Sequence, residues 1–378
     1  MEFLPKINLT KAERLLRLPA DALAELREAC EIAHRNESLR ALLRQCVICG
    51  VRQEDVAAFE AETEGWPRFA TEHAAKLRSE MGERAGMFPV LMLLGTLDWT
   101  RDFYRARGIA ESVLVETMGD LTIWMKHYRA AHGAWGLDNV EWLLNHFGCR
   151  LFRIGRLQFI HKPFYSAVAA LRESDSAAVA LLSEPGIRYS GEGHVEGSNG
   201  RLDPEQGWTA SFRETEEAFE GNPIDMSGLA SRTVIRLSKA VWGGAIRRGD
   251  PVLDVHIPEG EPLRPEACED AFERALAFFR DRFPEKQVRG FVCVSWLLDP
   301  QLSDILPANS NISVFQRLFR LFPVMSDDRE TLSRTFGTDS IDTATADRST
   351  GLRRAIVGHM ETGGRMRGGG GIRLADRE

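Results

Sequence analysis

The sequence has no apolar run long enough to cross a membrane. Its longest, residues 87–95, is interrupted by Pro89 and reaches about half of the roughly 20 residues a spanning helix needs. The opening Met1-Glu2-Phe3-Leu4-Pro5 lacks the basic region and apolar stretch of a secretory signal, so the expectation is a cytoplasmic protein with no membrane partner. Basic excess is missing too. A net charge of −7 argues against nucleic-acid binding, which needs a cationic surface to displace counterions from phosphates. Six cysteines in 378 residues do not make a disulfide framework and read as reduced thiols. No Ser-His-Asp signature, Walker loop or dinucleotide fingerprint appears. Cys46-Val-Ile-Cys49 has no second ligand pair nearby, and His127 and His132 miss the i, i+4 spacing of a helical metal pair. No metal is expected.

What is present is material for two domains. The chain is 43% hydrophobic and 27% charged, ordinary values for globular cores and surfaces, and its length exceeds one typical domain. Residues up to about Phe147 read as helical. Leu23, Leu26, Cys30 and Ala33 recur at helical spacing over residues 20–34, with Pro19 and Asp21 at the start. Further helical stretches fall at 67–83, 87–105 and 111–131. Over residues 137–147, Val140, Leu143, Leu144 and Phe147 form an apolar stripe; Asp138 is the expected cap and Gly148 the expected left-handed terminator.

After Gly148 the pattern changes. Residues 151–160 suggest a strand with Gly155 as a bulge or a close backbone approach. Residues 189–228 are rich in glycine and polar residues, with short strand candidates at 208–212 and 233–237. The last third alternates: a strand at 252–257, a helix at 265–283, a nearly all-apolar strand at 290–298, short helices at 301–306 and 312–319, and a strand at 321–325. A strand–helix–strand unit implies parallel pairing with a right-handed crossover. The fold class is therefore α+β: a helical domain over residues 1–148, then a mixed α/β domain over 149–362. The tail over 363–378, with four consecutive glycines at 368–371, is expected to be mobile, and Ile372 to Leu374 is a candidate terminal strand.

Several segments carry a family resemblance: Asp254-Val-His-Ile-Pro-Glu-Gly, Pro262-Leu-Arg-Pro-Glu-Ala-Cys, Phe291-Val-Cys-Val-Ser-Trp-Leu-Leu-Asp-Pro, Leu306-Pro, Ser310-Asn-Ile and Phe315-Gln316. Trp135-Gly136 and Phe152-Arg-Ile-Gly-Arg-Leu-Gln-Phe159 add to it near the domain junction. Over roughly residues 10–360 the chain resembles bacterial acyltransferase domain-containing proteins that join an N-acyltransferase N-terminal helical domain to a GNAT-like C-terminal domain. The resemblance implies N-acyl transfer from acyl-CoA to an amine acceptor, both small molecules. In GNAT enzymes the loop after the fourth strand and the next helix N-terminus bind the CoA pyrophosphate, and the pantetheine lies between the fourth and fifth strands. Here that loop is residues 258–264, which places Ile257, Gly260 and Arg264 in the CoA-binding role. The loop lacks the usual Gln/Arg-x-x-Gly-x-Gly/Ala pattern. Gly260 is its only glycine, and Glu259, Glu261, Glu266, Glu269 and Asp270 surround it. These acids stabilise a helix start but repel a pyrophosphate.

The candidate chemistry centres on His256, in the pKa range of a general base, with Asp254 on its face to orient the imidazole. The alternative is a histidine bonded to backbone. Glu259 is a second candidate base, or a solvated loop acid. Cys293 and Ser295 share a face of the next strand and are candidate proton donors to a leaving thiolate; Cys293 is also a candidate nucleophile, against simple core packing. Arg153, Arg156 and Gln158 are candidates to hold an anionic substrate or to pair with carboxylates. Asn309 and Asn311 either contact substrate or, with Ser310, cap the following helix. The expected site is a cleft at the ends of strands 252–257 and 290–298, where His256, Glu259 and Ser295 converge. Two other functions stay open: a non-catalytic ligand-binding or interaction protein on the same fold, and a thioester or amide hydrolase using Cys293 with His256.

Overall fold

The computed structural model describes residues 7, 9–51 and 65–375. The opening segment read for a signal, residues 1–5, lies outside them, as does the Cys49 side chain, while Cys46 is buried. The chain forms two compact units: Met1–Ile160 with Ile257–Glu259, and His161–His256 with Gly260–Glu378.

The first unit is helical, as the periodicity predicts. Its described helices are α1 (Leu9–Leu16), α2 (Ala20–Arg35), α3 (Glu37–Val51), α4 (Gly65–Met81), α5 (Phe88–Gly95), α6 (Leu97–Ala106), α7 (Glu111–His132) and α8 (Val140–Phe147). In α2, Leu23, Leu26, Ala29 and Ala33 are buried, whereas Cys30 is only partly so. Every residue from Phe88 to Leu94 of α5 is buried, which explains an apolar run with no polar face. The expected helix over 87–105 is broken between α5 and α6 at Thr96, whose hydroxyl donates to the Leu93 carbonyl at 2.7 Å. No helix among the described residues is long and apolar enough to cross a membrane.

Two expected details of α8 differ. Asp138 makes no cap; its carboxylate lies 2.8 Å from His132 Nε2, and Asn139 occupies the cap position without a side-chain bond. Gly148 keeps φ −80°, and Cys149 takes the left-handed turn at φ 55°. What requires glycine at 148 is space, since a Cβ there would sit 2.6 Å from the Leu144 carbonyl oxygen.

Residues 151–160 form a hairpin rather than one bulged strand. Strands β1 (Leu151–Ile154) and β2 (Leu157–Pro163) pair antiparallel with Phe152 opposite Phe159 and Arg153 opposite Gln158. Gly155 makes the turn at φ 62°, a conformation open to glycine at little cost. Arg156 is a turn residue, not a strand residue.

The second unit has a loop-rich middle of short strands: β3 (Val168–Glu173), β4 (Val179–Ser183), β5 (Arg188–Tyr189), β6 (Trp208–Thr209), β7 (Phe212–Glu214), β8 (Ala218–Gly221), β9 (Pro223–Ile224), β10 (Ile235–Ser238) and β11 (Trp242–Ile246). They form small sheets in the orders β11-β3-β4-β9, β10-β8-β7 and β5-β6. The last third is built on β12 (Pro251–His256), helix α9 (Pro265–Arg282) and β13 (Gly290–Ser295). β12 and β13 pair in parallel, Leu253 with Phe291 and Asp254 with Val292, as the strand–helix–strand pattern predicts. β13 stops at Ser295, and the expected remainder of that strand is a 3-10 turn, Trp296–Leu298. Helices α10 (Gln301–Ile305) and α11 (Asn311–Gln316) then lead to β14 (Arg320–Pro323), followed by α12 (Arg329–Phe336), α13 (Gly351–Glu361) and β15 (Gly369–Leu374).

The pleat sorts side chains onto two faces. Phe291 meets α9, with its ring 4.7 Å from that of Phe272. Val252, Val292, Phe322 and Ile372 pack on the other face against Phe164 and Tyr189.

The glycine-rich tail is the largest departure from expectation. Within it, Gly369–Leu374 forms β15, which lies antiparallel between β13 and β14 and pairs Ser295 with Gly369 and Phe322 with Gly370. The glycines are there for close approach. A Cβ on Gly369 would stand 1.9 Å from the Leu298 carbonyl oxygen, one on Gly370 2.2 Å from the Phe322 ring, and one on Gly371 2.8 Å from Phe319.

Candidate active site

In the second unit, Asp254 and His256 alternate with buried residues along β12, and Lys162 on β2 faces them. His256 Nε2 lies 3.0 Å from Asp254 Oδ2, and Lys162 Nζ donates to the same oxygen at 2.5 Å. Burial by itself raises the Asp254 carboxyl, but the imidazole and ammonium beside it outweigh that effect and hold it below the usual carboxylate range. Asp254 is thus an anion, only 10% exposed at its side chain, while His256 is 32% exposed and reaches solvent. This arrangement turns Nε2 toward a fixed carboxylate on a ring that is partly open to solvent. Sequence alternation pairs Asp254 with His256 correctly. It does not reveal Lys162, whose partner is 92 positions away.

The same pleat separates His256 from the other expected catalytic groups on β13. Asp254 shares a face with Val292, so His256 shares that face too, whereas Cys293 and Ser295 belong with Phe291 on the opposite face. Cys293 is 1% exposed and burial pushes its thiol far up, which makes it a core residue rather than a nucleophile. Ser295 accepts a bond from the Leu297 amide at 3.2 Å and caps the 3-10 turn. The hydrolase reading fails on this geometry, because Cys293 and His256 point away from each other across the sheet. Position 294 is more informative. Val294 lies on the His256 face and is 55% exposed, an apolar side chain open to solvent in a strand paired on both sides.

Other expected residues have assigned structural partners. In the first unit, Glu259 pairs with His127 on α7 at 2.6 Å, and the buried Arg156 guanidinium donates to the Pro258 carbonyl at 2.9 Å. Ile257, Pro258 and Glu259 belong to that unit's compact body. Arg153 Nε donates to the Gly155 carbonyl at 3.4 Å. Gln158 joins a buried cluster that sequence reasoning missed. His146 Nε2 is 3.1 Å from Asp120 Oδ2, Trp142 Nε1 donates to that oxygen at 2.9 Å, and Gln158 Nε2 is 3.4 Å from His146 Nε2. Burial raises the Asp120 carboxyl, but His146, Trp142 and Gln158 together hold it low. The available signal was Trp142 and His146 one helical turn apart on α8.

In the second unit, Asn309 and Asn311 are exposed. Ser310 Oγ accepts from the Ser313 amide at 3.1 Å and caps α11, so this cluster does the capping that its composition also allows. Gly260 takes φ +135°, a value side chains rarely adopt. Arg264 occupies the N-cap position of α9 and is exposed. Of the acids around this loop, Glu259 is engaged by His127 and Asp270 by Arg274 at 3.0 Å. No cluster of three or more metal-ligating side chains is found among the described residues.

Comparison with known proteins bears on this geometry. Residues 7–149 match the N-acyltransferase N-terminal domain, and residues 151–373 match the GNAT-like C-terminal domain. Among solved structures, similar chains include an acyltransferase in complex with decanoyl-CoA and teicoplanin and a mutant acyltransferase in complex with octanoyl-CoA. Each has a TM-score of 0.63 and 22% identity, over 97% of this chain and 88% of the other. An acyltransferase in complex with CoA and 10C-teicoplanin gives a TM-score of 0.62 with the same identity and coverage. The likeness establishes a shared acyltransferase fold. No curated protein matches significantly.

Proposed function

The chain belongs to the family that joins an N-acyltransferase N-terminal domain to a GNAT-like C-terminal domain, and from that premise we propose that it moves an acyl group from acyl-CoA to an amine. The observation that carries this reading is the 3.0 Å approach of His256 Nε2 to the Asp254 carboxylate at the end of β12. It sits on the strand that runs parallel to β13, where GNAT-like folds keep their thioester.

The chemistry asks for a base. An ammonium has no lone pair to attack with, so the His256 imidazole accepts a proton from the incoming ammonium. The amine nitrogen bonds to the thioester carbonyl carbon, and the carbon–sulfur bond breaks to release the CoA thiolate. His256 passes that first proton to solvent, accepts the second amine proton as the tetrahedral intermediate collapses, and the resulting imidazolium returns it to the thiolate. Asp254 is the positioning residue: its charge favours the imidazolium as it forms, by the same logic that lowers its own pKa. Lys162 keeps Asp254 ionised. The solvent-exposed Val294 offers the acyl-pantetheine an apolar contact on the same face.

The donor's phosphates fit the start of α9. An 18-residue helix leaves N–H groups unpaired at its first turn, Arg264 stands at its cap, and Gly260 supplies a backbone turn without a side chain. Glu261 and Glu266 oppose the phosphates, which predicts weaker, more salt-sensitive CoA binding than a loop rich in glycine and arginine gives. The acceptor is an amine-bearing small molecule. Two of the similar structures hold teicoplanin or 10C-teicoplanin, which makes a bulky glycopeptide amine the first acceptor to try.

Thermal unfolding with CoA and decanoyl-CoA tests the donor. A ligand at about 100 times its dissociation constant adds roughly 2.7 kcal/mol to stability, so a clear upward shift of Tm is expected. No shift at millimolar decanoyl-CoA removes the acyl-CoA reading and leaves a binding protein of another kind.

A further inference from the structure

Away from His256, the second unit contains a cavity of about 660 Å³ whose wall carries Arg172, Arg317, Arg320 and Arg373 around an apolar floor that includes Ile372 and Leu374. None of its lining residues is acidic. We propose that this cavity is a second ligand site, for a small phosphomonoester with an apolar or aromatic body.

The site stands apart from the proposed catalytic end of the sheet. β13 runs parallel to β12, and its first residues, Gly290, Phe291 and Val292, pair with Leu374, Arg373 and Ile372. The cavity therefore opens beside the beginning of β13, whereas His256 closes the far end of β12.

The arginines are held in place, and three of them, Arg317, Arg320 and Arg373, form no ion pair among the described residues. Arg317 Nη1 donates to the Ala308 carbonyl at 2.9 Å, and the Arg373 guanidinium stands 5.0 Å from the Phe272 ring centre. Arg172 Nη2 donates to the Ala375 carbonyl at 2.6 Å. Arg320 Nε is buried and makes no hydrogen bond, and its guanidinium otherwise rests on the Met226 sulfur. Among the described residues, Arg317, Arg320 and Arg373 have no carboxylate within ion-pair range. Asp225 acts on Arg320 only through space, and burial dominates, pulling the Arg320 pKa below its ordinary value. A desolvated cation without a counter-ion is costly, and an arriving anion supplies the missing partner.

Charge selects phosphate over carboxylate. A phosphomonoester carries about −1.5 to −2 and three acceptor oxygens, and the guanidinium fork holds such oxygens bidentately. Size and floor select an organic ester: small-ligand cavities run about 300–1,000 Å³ and are mostly apolar, with a few convergent polar groups. Met226, which also lines the cavity, is 79% exposed.

Calorimetric titration of the full chain with phenyl phosphate tests the proposal, with inorganic phosphate and benzoate as comparison probes. Saturable binding in the sub-millimolar range at low salt is expected, with both comparison probes at least tenfold weaker. Arg320→Gln and the more exposed Arg317→Gln should each weaken phenyl phosphate about tenfold or more, since a hydrogen bond to a charged group is at stake. His256→Ala should leave it unchanged. A normal unfolding transition in each variant excludes loss of fold. The proposal is overturned by absence of saturable binding at 10 mM probe (a concentration on the order of a very weak site). It is equally overturned by benzoate binding as tightly as phenyl phosphate, by indifference to both arginine substitutions, or by loss of binding in His256→Ala.

Discussion

Replacing Gly369 with alanine isolates the reason for the glycine run. Gly369 has an ordinary strand φ, so backbone strain does not enter. Alanine is intrinsically better than glycine within a strand by roughly 0.5–1 kcal/mol. Space is what opposes it. The new Cβ would lie 1.9 Å from the Leu298 carbonyl oxygen, 2.5 Å from its carbon and 3.2 Å from the Asp299 nitrogen. All three are backbone atoms, and they belong to a turn tied down by Gln316, whose Nε2 donates to the Leu297 and Asp299 carbonyls at 2.8 Å each. They cannot rotate aside as a side chain can. Forcing extra atoms into such packing costs about 1–3 kcal/mol, and for a unit of this size each kcal/mol lowers Tm by about 2–4 °C. Gly243→Ala is the matched control: a strand glycine of β11 with nothing within 4 Å of its added Cβ. Calorimetry should show Gly369→Ala melting several degrees below wild type and Gly243→Ala at or slightly above it. Equal melting of the two variants would refute the close-approach argument.

Other substitutions probe the buried charges. Asp120→Asn leaves His146 buried without its carboxylate, and losing one member of such a pair costs about 3–5 kcal/mol in urea unfolding at pH 7. Because the Asp120 pKa is held low in the fold, its contribution is present above the unfolded value and is lost as pH falls through the folded one. The variant's penalty should therefore shrink below about pH 4. Asp299 behaves oppositely. Burial lifts it to about 6, although the Arg367 and Gln301 amides donate to it. Its contribution is complete below the unfolded value of about 3.9 and fades as pH rises through about 6, by on the order of 3 kcal/mol. Wild type should lose stability relative to Asp299→Asn between pH 4 and pH 7; a constant difference would contradict this. Iodoacetamide at pH 8, read by mass spectrometry, should leave Cys293 unmodified in the native protein and modify it in denaturant.

Local pattern carried the helical half and the β12–α9–β13 unit, because amphipathic spacing and apolar runs report burial directly. It carried the Asp254–His256 pair for the same reason, since alternation alone puts positions 254 and 256 on one face. It failed where the deciding partner is remote. Lys162 meets Asp254 across 92 positions, and Gly369 to Gly371 look like part of a mobile tail until Leu298, Phe322 and Phe319 are seen pressing on them. The expected convergence of Ser295 with His256 failed on register. Two strand-end residues can be neighbours along the chain direction and still face opposite ways, and only the pairing of Asp254 with Val292 decides which. Gly155 was legible as a special backbone position but not as a turn, because a bulge and a tight hairpin both ask for glycine.

The most direct measurement is steady-state acyl transfer from decanoyl-CoA to an amine-bearing glycopeptide, followed by thiol release, for wild type, His256→Ala and Asp254→Asn. With His256 as the base, its loss should lower kcat by about 10²–10⁴-fold while the Tm shift with decanoyl-CoA is retained. Asp254→Asn should lower kcat less, because the imidazole keeps its place on the strand but loses the carboxylate 3.0 Å away that positions it. A His256→Ala enzyme that keeps wild-type kcat and an unchanged pH profile would contradict the account at its centre.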